Sequence, residues 1–321
     1  MQLWYLGIDV AKAKLDCALR QPDGKHKHKV FNNDPKGFAA LREWICKHGV
    51  TELHVCMEAT GVYWEAVAEY LANHQYVVSV VNPAQVKAFG ASRLVRTKTD
   101  KVDAKLIAEF CNQNQPSPWQ APSLKEQALR AMVLRLDALQ EMRSQEDNRL
   151  EVARDVVKDE IAAHVAWLDK EIKGLTKKIR DHIDDDPELG DRKRLLESIP
   201  GVGERTIALL LAFALVPGRF ANARQVTAYA GLDPRQHESG SSVRGKAHIS
   251  RCGHSVIRRR LYMPAMYTVY QTPWGRRILE RLTSAGKSPK VIIVAMMRKL
   301  LHVAFGVLKA GQKFDPALHA T

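Results

Sequence analysis

Asp100 and Asp103 stand three residues apart among lysines in TKTDKVDAKL, residues 97–106. On a helix such a pair shares a face, and like charges there repel. The plain reading is a helix start, with Thr97 and Asp100 as a loose cap and Asp103 facing water. The chemical reading is a divalent metal, and two further acids favour it. Asp9 closes the apolar run at 3–8, and Glu58 closes ELHVCME at 52–58. In ELHVCME, Leu53, Val55 and Met57 alternate with His54, Cys56 and Glu58, which puts Glu58 on the face opposite Met57. Four acids brought to one place repel strongly unless cations bind. Hard oxygen ligands suit Mg2+, and two such ions about 3.5–4 Å apart clamp the attacking and leaving oxygens of a phosphoryl transfer. Asp9, Glu58, Asp100 and Asp103 are therefore the candidate catalytic and metal-binding set.

Such a set needs elements that bring it together. Strands are expected at 3–8, 14–20 and 26–31, with PDG at 22–24 as a hairpin turn. A helix over 35–48, the strand 52–58, a helix capped by Thr60 and running to about 73, and a buried strand at 76–81 follow. The helix with Asp100 and Asp103 closes the series. This β-β-β-α-β-α-β-α order is that of an α/β ribonuclease-H-like fold, a mixed sheet whose central strand ends and last helix converge on one edge. Three prolines in QNQPSPWQAPS at 113–123 end the domain, and none occurs from 124 to 186. There Ile161, Val165, Leu168, Ile172, Leu175 and Ile179 follow a heptad rhythm, as do Leu129, Met132, Leu136 and Leu139, which predicts a coiled coil or long helical hairpin. LLESIPGVGERTIALLLAF at 195–213 reads as a helix-hairpin-helix, with Gly201 and Gly203 permitting the turn and a helix start facing a phosphate. A purely structural hairpin has the same pattern.

The chain has 321 residues and a formal net charge of +14. Residues 224–321 hold 17 Lys and Arg against 4 Asp and Glu, so nearly all the excess lies in the last third. A near-neutral body with a basic end points to a polyanion, most simply nucleic acid, the alternative being a solvated basic surface. The five cysteines form no CxxC pair, which argues against a zinc ribbon or disulfide framework and fits a reducing, cytoplasmic setting. MQLWYLGID lacks the regions of a signal peptide. Residues 207–216 are too short an apolar run to span a bilayer, and 291–308 reads as a buried final helix interrupted by Arg298, Lys299 and His302. No membrane partner is expected.

In the basic end, RQHESGSSVRGKAHISRCG offers Ser239, Ser241, Ser242 and Ser250 beside Arg244 and Lys246. By residue types alone this is a phosphate-binding loop, or else a loop with a catalytic serine, a poor nucleophile until a base or metal eases loss of its proton. Arg258, Arg259 and Arg260 cannot all face a core and are candidate phosphate contacts. Tyr262 and Tyr267 are expected to pack in the core, and Trp274 to anchor a turn. The tetrad alone fits a recombinase or a Mg2+-dependent structure-specific nuclease of the Holliday-junction-resolvase type, with water as nucleophile. A sugar-kinase or actin-like ATPase also opens with a GID strand, but no second glycine-rich phosphate loop follows. A non-catalytic RNA-binding scaffold leaves the tetrad unexplained.

YLGIDVAKAKLD, MEATGVYWE, VVNPAQVKAF, KTDKVDAKLIAEF, LLESIPGVG, AYAGLDPR, ESGSSVRG and ISRCGHSVIRRRLYMPAM occur in that order. Across nearly the whole chain they resemble the transposases of bacterial insertion-sequence family one-one-zero, the bridge-RNA-guided recombinases. The resemblance implies a RuvC-like domain over 1–120 whose D-E-D-D tetrad is Asp9, Glu58, Asp100 and Asp103. It implies a coiled-coil region over 121–190 and a mainly helical transposase domain over 191–321. Ser239-Gly240 matches the family's S-G motif, making Ser239 the counterpart of its essential serine. The implied activity is Mg2+-dependent cleavage and rejoining of donor and target DNA through a phosphoserine link, with the metal cluster, of the same or another subunit, activating the serine. A structured guide RNA would read sequence by base pairing. The working form would be a homo-oligomer, a dimer and then a tetramer in the synaptic complex.

Overall fold

The structure, a computed structural model, describes residues 3–94, 99–215, 218–235, 238–239, 243–244 and 248–319. It divides into two compact units, Met1–Ala121 and Pro122–Thr321.

The first unit is built on five strands, β1 (Leu3–Val10), β2 (Lys14–Arg20), β3 (His26–Asn32), β4 (Glu52–Glu58) and β5 (Val77–Val81), in the order β3-β2-β1-β4-β5. β1, β2 and β3 are antiparallel neighbours, while β4 runs parallel to β1 and β5 parallel to β4. This is the mixed sheet that the element order predicts. Helices α1 (Pro35–Lys47) and α2 (Glu65–Asn73) cover one face, burying Phe38, Leu41, Ile45, Val67 and Leu71 against Leu6, Ile8, Leu15, Val55 and Met57. Helices α3 (Pro83–Ser92) and α4 (Asp100–Asn114) cover the other, where Val86, Ile107, Phe110 and Cys111 meet Tyr5, Cys56 and Val81.

Local chemistry sets most of the helix starts. Asp34 accepts from Gly37 N at 2.7 Å with Pro35 in the first turn, and Asn82 accepts from Ala84 N before Pro83 opens α3. Two expected starts move. α2 begins at Glu65 rather than after Thr60, because residues 61–64 form a turn in which Gly61 takes φ +62°. α4 is capped by Thr99, whose hydroxyl accepts from Val102 N at 3.3 Å; Thr97 lies outside the described residues.

The second unit opens with a helical hairpin, α5 (Leu124–Val152) and α6 (Asp155–Asp184), joined by only two residues. A reciprocal Ser123–Glu126 capping box starts α5. The heptad residues Leu168, Ile172 and Ile179 are buried with Leu129, Leu136 and Leu139 of α5. The seam thus closes mostly within one chain, and its inner end belongs to the same core as the helices that follow. These are α7 (Pro187–Glu197), α8 (Glu204–Leu209) with a π-helical turn over Leu210–Ala214, α9 (Ala223–Tyr229), α10 (Ser255–Gln271), α11 (Pro273–Ser284) and α12 (Pro289–Ala310). By length and composition α12 could cross a membrane, but half of its most apolar stretch is buried, with Ile292, Met296, Leu300 and Ala304 in this core. Two short ladders, β6 (Pro234–Arg235) with β9 (His248–Ile249) and β7 (Glu238–Ser239) with β8 (Val243–Arg244), lie between α9 and α10.

Candidate active site

Strand alternation aims three carboxylates at the α4 side of the sheet. Tyr5 and Cys56 pack under α4, so Asp9 and Glu58, two or four residues further along the same strands, project to that side. Parallel register pairs Ile8 with Met57, which makes Asp9 and Glu58 the next neighbours at the strand ends. Antiparallel register sets Asp9 opposite Asp16 of β2.

Gly7 fixes how close the helix comes. A Cβ there would lie 2.1 Å from Ala104 O and 2.4 Å from Ala108 N, so the backbone of α4 rests directly on β1. Asp100 and Asp103 occupy the first turn of that helix. The electrostatic consequence appears at Asp9, whose carboxyl is pushed up to about 6, first by burial and then by Asp100, Asp103 and Asp16.

One cation offsets this crowding. Lys14 Nζ lies 2.6 Å from Asp100 Oδ2 and 3.1 Å from Asp16 Oδ2, and both contacts raise its own proton affinity. His28 Nε2 stands 3.2 Å from the other oxygen of Asp16. Asp16 is 5% exposed; Lys14 holds it from two residues earlier on the same strand and His28 from the facing strand β3. Among the described residues, no three His, Cys, Asp or Glu side chains form a ready metal cage. The four predicted acids therefore share one end of the sheet without closing into ligating geometry.

Sequence reasoning missed Asp16, Lys14 and Asn33. The first two had a readable signal. In KLDCALR, Leu15, Cys17 and Leu19 take the apolar face, which leaves Lys14 and Asp16 on the face of Asp9 once β1 and β2 are paired. Asn33 had none: its Nδ2 donates to Ala11 O at 2.9 Å and Tyr63 O at 3.0 Å, tying the loop after Asp9 to the loop after Glu58.

In the second unit, Ser239 pairs with Val243 and Glu238 with Arg244 in a short antiparallel ladder. Gly240, Ser241, Ser242 and Lys246 lie outside the described residues. Gly201 takes φ +95°, and a Cβ there would sit 2.0 Å from Thr268 Oγ1, so this glycine serves contact with α10. Gly203 precedes α8 with open space around it. Trp274, 2% exposed, lies against the same turn with its Nε1 donating to Pro200 O at 3.4 Å.

The three arginines have partners within the second unit. Arg258 donates to Ala230 O at 2.9 Å and Gly253 O at 3.0 Å. Arg259 and Arg260 both pair with the buried Asp137 of α5, and Arg259 also reaches Glu141 at 3.2 Å. Part of each guanidinium is thus engaged within the protein by carboxylates and carbonyls beside α10, while the Arg259 and Arg260 side chains keep 49% and 35% of their surface. Tyr267 departs from expectation: it is 57% exposed, while Tyr262 packs against the core as predicted.

Residues 6–155 match a family model described as transposase, of the DEDD type of IS110, and residues 193–280 match one described as the IS116/IS110/IS902 transposase family. The pilin gene-inverting protein of Moraxella bovis is 34% identical over 99% of this chain and 100% of its own, as is that of Moraxella lacunata. A 43.6 kDa protein of insertion element IS110 from Streptomyces coelicolor is 30% identical over 39% of this chain and 31% of its own. Among solved structures, RuvC of T. thermophilus in complex with a Holliday junction substrate aligns with 36% of this chain and 99% of its own, at 14% identity and a TM-score of 0.28.

Proposed function

The chain belongs to the IS110 family of transposases, enzymes that recombine DNA, and on that premise we propose that it cuts and rejoins donor and target DNA through a serine-linked intermediate. The observation that carries this reading is the gathering of acids at one sheet end, expressed in the raised carboxyl of Asp9. Whole-length similarity to a protein named for inverting a gene supports rejoining over simple cleavage, since inversion requires cut ends to be joined again.

Asp9, Glu58, Asp100 and Asp103 would hold the divalent metal, taken as Mg2+. The donor set fits, since all are hard carboxylate oxygens and Asp9, besides its burial, feels the negative charge of Asp100 and Asp103. When bound, the metal supplies Lewis-acid stabilisation of the phosphoryl oxygens. The Ser239 hydroxyl oxygen bonds to the scissile phosphorus as the bond to the departing deoxyribose oxygen breaks. The serine loses its proton and the departing oxygen gains one, so one phosphate ester replaces another and the reverse step can rejoin strands. A guide RNA supplies sequence recognition, a reading that rests on the family resemblance and on the basic last third of the chain. Self-association is supported by exposed apolar side chains around the far end of the hairpin, where Val156 is 82% and Trp167 49% exposed.

The test combines protein, cognate RNA, both DNAs and Mg2+. Recombinant joints and a nucleotide bound to Ser239 are expected, both abolished by EDTA and by Asp100→Asn. Nicked DNA with no covalent protein would make it a water-using nuclease.

A further inference from the structure

The proposed function gives Lys14 no role, yet its ammonium bridges the carboxylates of Asp100 and Asp16. We propose that Lys14 is a resident counter-ion that holds Asp100 in the metal-free enzyme and gives it up when the metal enters, keeping Asp16 as its anchor. The proposal rests on the reading of Asp100 as a metal ligand.

The two contacts differ in what it takes to break them. In the contact with Asp100, at 2.6 Å, the side chains keep 46% and 55% of their surface exposed, so water can replace either partner with little penalty. The contact with Asp16, at 3.1 Å, meets a carboxylate whose side chain is 6% exposed, and a buried carboxylate left without its cation is costly. His28 at 3.2 Å from the other oxygen steadies Asp16 from β3. Lys14 can therefore release Asp100 without leaving the site.

The sheet positions this arrangement. Lys14 and Asp16 are two apart on β2, hence on one face, and Asp16 faces Asp9 across the ladder. A cation on Asp100 from this side offsets repulsion among acids that Gly7 brings close through α4. It also competes with a metal for the same oxygen. Lys14 would thus keep the acids assembled before loading and weaken loading itself.

Mg2+ binding to the full-length protein without DNA tests this by isothermal titration calorimetry. Lys14→Gln removes the charge but can still donate a hydrogen bond to Asp16. It should bind Mg2+ about 3- to 10-fold more tightly than wild type, as expected for removal of one nearby charge in a partly solvated site. Lys14→Arg should stay within about twofold of wild type, since the charge remains. In EDTA, Lys14→Gln should melt below wild type, and added Mg2+ should raise its melting temperature by the larger increment. Lys14→Met serves if the glutamine variant does not fold. Equal or weaker Mg2+ binding by the uncharged variant overturns the counter-ion role while leaving the metal site intact. Absence of binding in wild type and variant alike, unaltered by Asp9→Asn, overturns the metal reading and this inference with it.

Discussion

His254 precedes α10 with its ring 4.6 Å from that of Phe213 and 5.8 Å from that of Tyr229. Burial, followed by Arg130, Arg219 and Arg258, lowers its pKa from 6.5 to about 4. Above pH 6.5 both folded and unfolded chains keep it neutral, and its contribution to stability is complete. As pH falls from 6.5 towards 4 the unfolded chain takes up the proton first, so that contribution is lost. The drop in melting temperature between pH 7 and 4.5, followed by differential scanning fluorimetry, should be smaller in His254→Leu than in wild type. At Ser239 the expected difference is one of kind. Ser239→Ala removes the attacking oxygen and should lose covalent adduct and joints outright. Ser241→Ala or Ser242→Ala removes a hydrogen bond at most, roughly 0.5–1.5 kcal/mol or about tenfold in rate. Mass spectrometry of trapped, nuclease-digested complexes locates the nucleotide. The four acids were legible because each ends a strand or starts a helix in a recognisable pattern. Arg258, Arg259 and Arg260 were not, since a run of charge does not disclose that Asp137, 122 and 123 residues away from two of them, will meet them.

Two contacts between elements carry more than their sequence would suggest. Gly7 sets the height of α4 over β1, and with it the distance from Asp100 and Asp103 to Asp9. Gly7→Val should lift the helix, cost about 1–3 kcal/mol in a denaturant melt, and reduce strand cleavage by about 100-fold, because small misplacements of reacting groups are expensive. Asp137 docks α10 onto α5 through Arg259 and Arg260. Asp137→Ala should lower stability by about 1–3 kcal/mol, less than for a fully buried pair, because the arginine side chains keep 49% and 35% of their surface. Thermal denaturation checks it, and Asp137→Glu should recover part of the loss. The sheet was readable from alternation and turn residues, whereas helix starts were less so. Thr97 and Thr99 are equally good caps by type, and only the backbone entering α4 decides between them.

At the scale of the molecule, the heptad seam was visible but its partner was not, since the same stripe suits a second chain or a neighbouring helix. The structure gives most of it to α5, with Leu168 and Ile172 buried. Leu168→Asp is therefore expected to lower the melting temperature of the protein. Val156→Asp combined with Trp167→Glu should leave it nearly unchanged and shift light-scattering mass towards the monomer. A stable wild-type monomer in the RNA-bound particle would remove this basis for assembly. Among the described residues the sheet ends on one side at β3, whose one strand partner is β2. An open strand edge is a template on which another copy can zip, and Lys27 and Lys29, both exposed, line this one. Charge on such an edge discourages strand-by-strand fusion with another chain, the route to irreversible aggregates.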